Sequence, residues 1–208
     1  MKYFLLSIPL LFYCSMSFSQ VFHGGVLAGI TASQVDGDTY SGFDKLGFQG
    51  GVFIITPITK GIDARLEIKF TSRGAKNQAS EDNTGFYKLT LFYIDLPVLA
   101  AIKVKQLGSI EFGLIPGYLF AVTGEDDYGK IPAESLVDFH KFDLGTLLGI
   151  SFNVSEKIAL NLRYSYSIIS IRDLESSNDY YSWFGNLFGF SEGDYNNYLS
   201  FGVNYLIK

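Results

Sequence analysis

Residues 61–70 read GIDARLEIKF. Ile62, Ala64, Leu66, Ile68 and Phe70 alternate there with Asp63, Arg65, Glu67 and Lys69. Successive strand side chains point to opposite faces, so the pattern predicts a β-strand with one apolar and one charged face. Which face meets water decides the fold. In a soluble sheet the apolar stripe lies in a core. In a membrane barrel it faces lipid, and the charges face the lumen.

Seven further segments alternate in the same way: 21–34, 46–59, 86–104, 108–122, 140–154, 157–171 and 195–208. All exceed the roughly five or six residues of an ordinary globular strand, and all are long enough for a tilted strand to cross a bilayer. The connections alternate in length. Long polar ones run over 35–45, 72–85, 123–139 and 172–194; short ones sit at Lys60-Gly61, Gln106-Leu107 and Ser155-Glu156. Short turns on one side and long loops on the other are the asymmetry of an outer-membrane barrel, and both termini then fall on the turn side.

The polar face carries a second signal. It is rich in Gly and Ser, with Gly25, Gly29, Gly47, Gly51, Gly113, Gly117, Gly145 and Gly149 among long charged residues. A solvated sheet surface has no use for so many glycines, which weaken a strand. A narrow eight-stranded barrel does, because its interior is just wide enough to be filled by side chains. The expected lumen holds an ionic network of Asp63, Glu67, Asp95, Glu111 and Asp143 against Arg65, Lys69, Lys141 and Arg163. Such charges must pair, since an isolated buried charge costs several kcal/mol. Pro97 within the fourth segment predicts a bulge near Asp95-Leu96-Pro97, with Asp95 turned toward Arg65 or Arg163. The fold class expected is all-β, an eight-stranded antiparallel up-and-down transmembrane β-barrel.

The N-terminus, MKYFLLSIPLLFYCSMSFSQ, has one positive charge at Lys2, an apolar run to Cys14, and small residues at Ser17 and Ser19. It predicts a signal peptide over 1–19, cleaved before Gln20, and a barrel domain over 20–208. An uncleaved anchor and a lipoprotein at Cys14 are the alternatives. The apolar run is short for a span, and Tyr13 stands where lipidation favours a small residue. Beyond this segment no stretch offers the ~18 uncharged apolar residues of a spanning helix. Net charge is −5, which argues against nucleic acid as a partner.

The only Cys lies in the predicted signal, so the mature chain has no thiolate chemistry. His23 and His140 fall at opposite ends of the expected barrel, too far apart to share a catalytic or metal site. No catalytic residue, metal ligand or cofactor is therefore expected. Residues 179–190 place Tyr180, Tyr181, Trp183, Phe184, Phe188 and Phe190 in the last long loop, a candidate contact patch for a protein partner. The expected partners are outer-membrane lipid and a protein reached through the extracellular loops; the chain itself is expected to be a monomer.

Residues 93–99, YIDLPVL, resemble a stretch of the small outer-membrane barrels of Bacteroidota, the PorT-like or "porin family" proteins. GVLAGITAS (25–33), FDLGTLLGISF (142–152), LRYSYSI (162–168) and LSFGVNYLIK (199–208) are similar to that family in the same order. The ending on Leu206, Ile207 and Lys208 departs from the family's aromatic terminus. The resemblance implies an outer-membrane barrel without a catalytic motif and, for the named member, a role in protein secretion. The functional expectation is a non-enzymatic scaffold, interaction or secretion-accessory barrel. A narrow channel for ions or small solutes is the first alternative, and a secreted lipocalin-like barrel the second.

Overall fold

The computed structural model describes residues 21–37, 42–77, 85–105, 107–132, 135–136, 138–173 and 193–207. The strand segments in chain order are β1 (His23–Asp36), β2 (Lys45–Pro57), β3 (Ile62–Arg73), β4 (Lys76–Asn77), β5 (Tyr87–Asp95), β6 (Val98–Val104), β7 (Gly108–Asp126), β8 (Gly129–Ile131), β9 (Phe142–Asn153), β10 (Ile158–Ser167), β11 (Arg172–Asp173) and β12 (Gly193–Ile207). Eight staves close a barrel: β1, β2, β3, β5 continued by β6, β7, β9, β10 and β12. Each pairs antiparallel with its neighbours in sequence, and β1 pairs with β12 to complete the circle.

The two faces separate as a membrane barrel requires. On β3, Leu66 and Ile68 are 36% and 54% exposed, whereas Glu67 and Lys69 between them are each 1% exposed. The apolar stripe of every stave points outward in this way. Near the loop end the outward surface becomes aromatic: Phe48, Phe70, Phe92 and Phe120 form a row across β2, β3, β5 and β7, with neighbouring ring centroids 5.2 to 6.3 Å apart. Tyr118 against Phe142 and Tyr166 against Tyr195 continue the row. Aromatic girdles of this kind sit at the membrane–water interface.

Several strands outrun the expected ends. β1 continues to Asp36, β3 to Arg73 and β7 to Asp126, where long loops were expected. Past the girdle a strand leaves the hydrocarbon and no longer needs an apolar outer face. Its alternation fades while its ladder bonds continue. On the loop side β8 pairs with the β7 extension, and β4 pairs with the start of β5.

The bulge expected at Asp95-Leu96-Pro97 is not there. Lys69 opposes Asp95 and Leu66 opposes Val98, so the register beside β3 runs unbroken past Pro97. Only a rung is given up: the Glu67 N–H donates to the Pro97 carbonyl at 3.0 Å, and the reciprocal bond has no N–H to make it. Pro116 repeats the arrangement, accepting from Leu96 at 2.8 Å. The register shift lies instead between Phe92 and Tyr93, opposite β7.

Candidate functional site: the barrel interior

The ladder register places charges and glycines in rows. One row crosses five staves as Gly51, Lys69, Asp95, Gly117 and Asp143. A second runs Asp63, Ala101, Glu111, Gly149 and Arg163. Glycine gives the long side chains their room. A Cβ on Gly117 would sit 2.6 Å from Asp95 Oδ1, and one on Gly149 would sit 2.6 Å from Arg163 Cγ.

Glu111 and Arg163, on either side of Gly149, share a rung, but contacts across the whole lumen do not follow the rungs. With strands about 4.8 Å apart and tilted by about 40°, each rung climbs roughly 3 Å per stave. Four staves lift Arg163 by roughly 12 Å above the level of Asp63, close to the level of Glu67 four residues further along β3. The same climb lifts Asp143 from the level of Lys69 toward that of Arg73.

Two ionic clusters result. Nearer the turns, Arg163 donates through Nη1 and Nη2 to both carboxylate oxygens of Glu67, at 3.0 and 2.8 Å, and through Nε to Glu111 at 2.8 Å. Arg65 donates from Nε to Glu67 and from Nη2 to Asn204 Oδ1, and its guanidinium lies over the Phe53 ring. Nearer the loops, Arg73 Nη2 lies 3.2 Å from Asp95 Oδ1 and 3.1 Å from Asp143 Oδ2. The Arg73 guanidinium stacks over Tyr93, 3.8 Å from its centroid, and faces Tyr198 at 5.1 Å. Ser167 and Asn196 donate to Asp143, while Lys69 donates to Gln49.

The expected network therefore needs three corrections. Arg73, assigned to a loop, is a buried member and the partner of Asp95 in place of Arg65 or Arg163. Lys141 is exposed at the loop-side rim and takes no part. Asp63 sits at the turn-side mouth and pairs with Lys103 at 2.7 Å. Among the described residues the buried charges balance at five each way: Arg65, Lys69, Arg73, Arg163 and, nearer the loops, Lys45, against Glu67, Asp95, Glu111, Asp143 and, nearer the loops, Asp194.

Apolar layers fill the rest. Leu99, Ile115, Leu147 and Tyr198 form one buried cluster inside the barrel. Val35, Ala75, Leu89, Leu91, Tyr93, Leu119 and Ile171 form another toward the loops. Sequence alternation does not announce Leu99, Ile115 and Leu147, because these lie in runs that are apolar on both faces. His140 bonds the Ser170 carbonyl near the loop end, and His23 lines the turn-end mouth. The aromatics of 180–190 and the predicted signal over 1–19 lie outside the described residues.

A barrel of eight antiparallel staves with an apolar outer belt, an aromatic girdle and a side-chain-filled interior defines a class, the small outer-membrane barrels. The chain belongs to the outer membrane protein beta-barrel domain family, whose model matches residues 6–173. It is similar to solved structures of the same fold. Neisserial surface protein A (NspA) is 16% identical over 88% of this chain and 96% of its own, with a TM-score of 0.50. Ail, the attachment invasion locus protein of Yersinia pestis, was solved in complex with the heparin analogue sucrose octasulfate. It is 13% identical over 89% of this chain and 99% of its own, also with a TM-score of 0.50. No curated protein matches by sequence. The protein is a β-barrel of the bacterial outer membrane.

Proposed function

We propose that this protein is a non-enzymatic outer-membrane scaffold of the PorT-like kind, an interaction or secretion-accessory barrel that meets a protein partner through its long loops. The observation that carries this reading is the filled lumen. Arg163, Lys69, Glu67, Glu111, Tyr93, Tyr198, Ile115 and Leu119 are each under 2% exposed, which favours a post in the membrane over a diffusion pore. The six aromatics at 180–190 support the loops as the contact surface. A polyanion such as the one held by Ail is not proposed as ligand, because acids outnumber bases in the long loops of this chain. On this reading an N-terminal signal over 1–19 exports the chain, and the barrel works as a monomer.

Membrane fractionation with heated and unheated gel samples tests the location, and planar-bilayer recording tests the lumen. A heat-dependent mobility shift in the outer-membrane fraction and an electrically silent barrel are expected. A soluble periplasmic protein would overturn the location. Steady single-channel conductance would replace the scaffold with a narrow channel. Deleting residues 180–190 should leave a folded, inserted barrel that no longer retains its partner.

A further inference from the structure

The turn end of the lumen opens into a cavity of about 350 Å3. Arg65, Glu111, Asn204 and Phe53 lie deep in it, and Lys105 and Lys157 stand at its mouth. The cavity is blind, since buried Glu67 and Arg163 and then the Leu99–Ile115–Leu147–Tyr198 cluster lie beyond it. By the rule that short turns face the periplasm, it opens inward from the outer membrane.

We propose that this vestibule binds a small amphipathic carboxylate entering from the periplasmic side. Two donors deep in the cavity are underused. The Asn204 side chain, 97% buried, spends its Oδ1 on Arg65, and its Nδ2 has no partner among the described residues. Arg65 Nη1 lies 4.0 Å from Glu111 Oε1, beyond hydrogen-bonding distance. A buried donor left without an acceptor is costly, and a carboxylate oxygen set between these two groups satisfies both.

Charge selects the same ligand. Arg65, Lys103, Lys105 and Lys157 line the cavity against Asp63, Glu111 and Glu156. Asp63 is held by Lys103 at 2.7 Å, Glu111 by Arg163 at 2.8 Å and Arg65 by Glu67, which leaves Lys105 and Lys157 against Glu156 and the excess positive at the mouth. The remaining wall is mixed: Phe53, Ile55, Pro57 and Leu206 give it an apolar side, beside Ser109, Ser151, Asn153 and Ser155. An ammonium ligand finds the wrong charge here, and a bulky polyanion finds too little room. This site is independent of the loop-side scaffold role, and its binding is read without reference to any partner.

Amide spectra of the full 15N-labelled barrel in micelles, titrated with hexanoate, test the proposal, with hexylamine as control. Saturable shifts are expected at Phe53, Glu111, Ser151 and Asn204 and not at the loop end. Binding should be about tenfold weaker in Asn204→Asp and in the exposed double variant Lys105→Glu/Lys157→Glu, the effect of losing a charge-assisted hydrogen bond or its steering field. The rim variant carries the test if Asn204→Asp fails to show the heat-dependent mobility of a folded barrel. Equal shifts with hexylamine, unsaturable shifts spread over lipid-facing residues, or undiminished binding in the rim variant would overturn it.

Discussion

The two ionic clusters solve one problem by different means. The turn-side cluster is a closed circuit: Arg65 and Arg163 share Glu67, and Arg163 also holds Glu111. If one arginine is lost, the other still stands beside both acids. The loop-side cluster rests on a single arginine between two aspartates, steadied by the faces of Tyr93 and Tyr198. Asp95 Oδ2, Asp143 Oδ1 and Arg73 Nε have no hydrogen-bonding partner among the described residues. Lys69, which opposes Asp95 across the ladder, donates to Gln49. Redundancy on one side and dependence on the other predict unequal tolerance to change.

The sharpest way to break this contrast is to remove each arginine. Arg73→Leu strands two buried carboxylates and should cost about 3–5 kcal/mol in urea unfolding of the bilayer-reconstituted barrel. Arg163→Leu should cost at least about 1 kcal/mol less, because Arg65 remains beside Glu67 and Glu111. Equal losses would show that the circuit gives no protection. An outward control comes next: Leu66→Arg, one residue from Glu67 but facing lipid, should cost about 2–4 kcal/mol if it sits near the midplane. Glu67→Gln keeps its shape and some of its hydrogen bonds, so about 1–3 kcal/mol is expected. Lys141→Gln should leave the unfolding curve unchanged; a measurable loss would return Lys141 to the network.

Alternation made the staves and their faces legible in the sequence, and loop lengths made the orientation legible. GIDARLEIKF lies as a membrane strand requires, with Leu66 and Ile68 outside and Glu67 and Lys69 inside. The partners of those charges were not legible. Strand tilt lifts Arg163 about four residues from the rung of Asp63 to the level of Glu67, a displacement that appears only when the sheet is closed. Arg73 escaped for a local reason. It follows Thr71 and Ser72, where the outward face has left the lipid and period-two hydrophobicity no longer marks a strand. Pro97 signalled a bulge, but the ladder absorbs it by forfeiting one bond. The inward apolar layers were hidden because Leu99, Ile115 and Leu147 lie in runs that are apolar on both faces.

The pairing of β1 with β12 runs from Gly24 opposite Ile207 to Asp36 opposite Tyr195. It joins the beginning of the described chain to its end. No local turn brings these strands together, so the seam pays the largest loop-closure entropy in the molecule and should form last. Until it does, the nascent sheet carries two long open edges whose unpaired N–H and C=O groups invite another chain. The last strand is therefore a latch, and assembly is a race between closing it and pairing with a stranger.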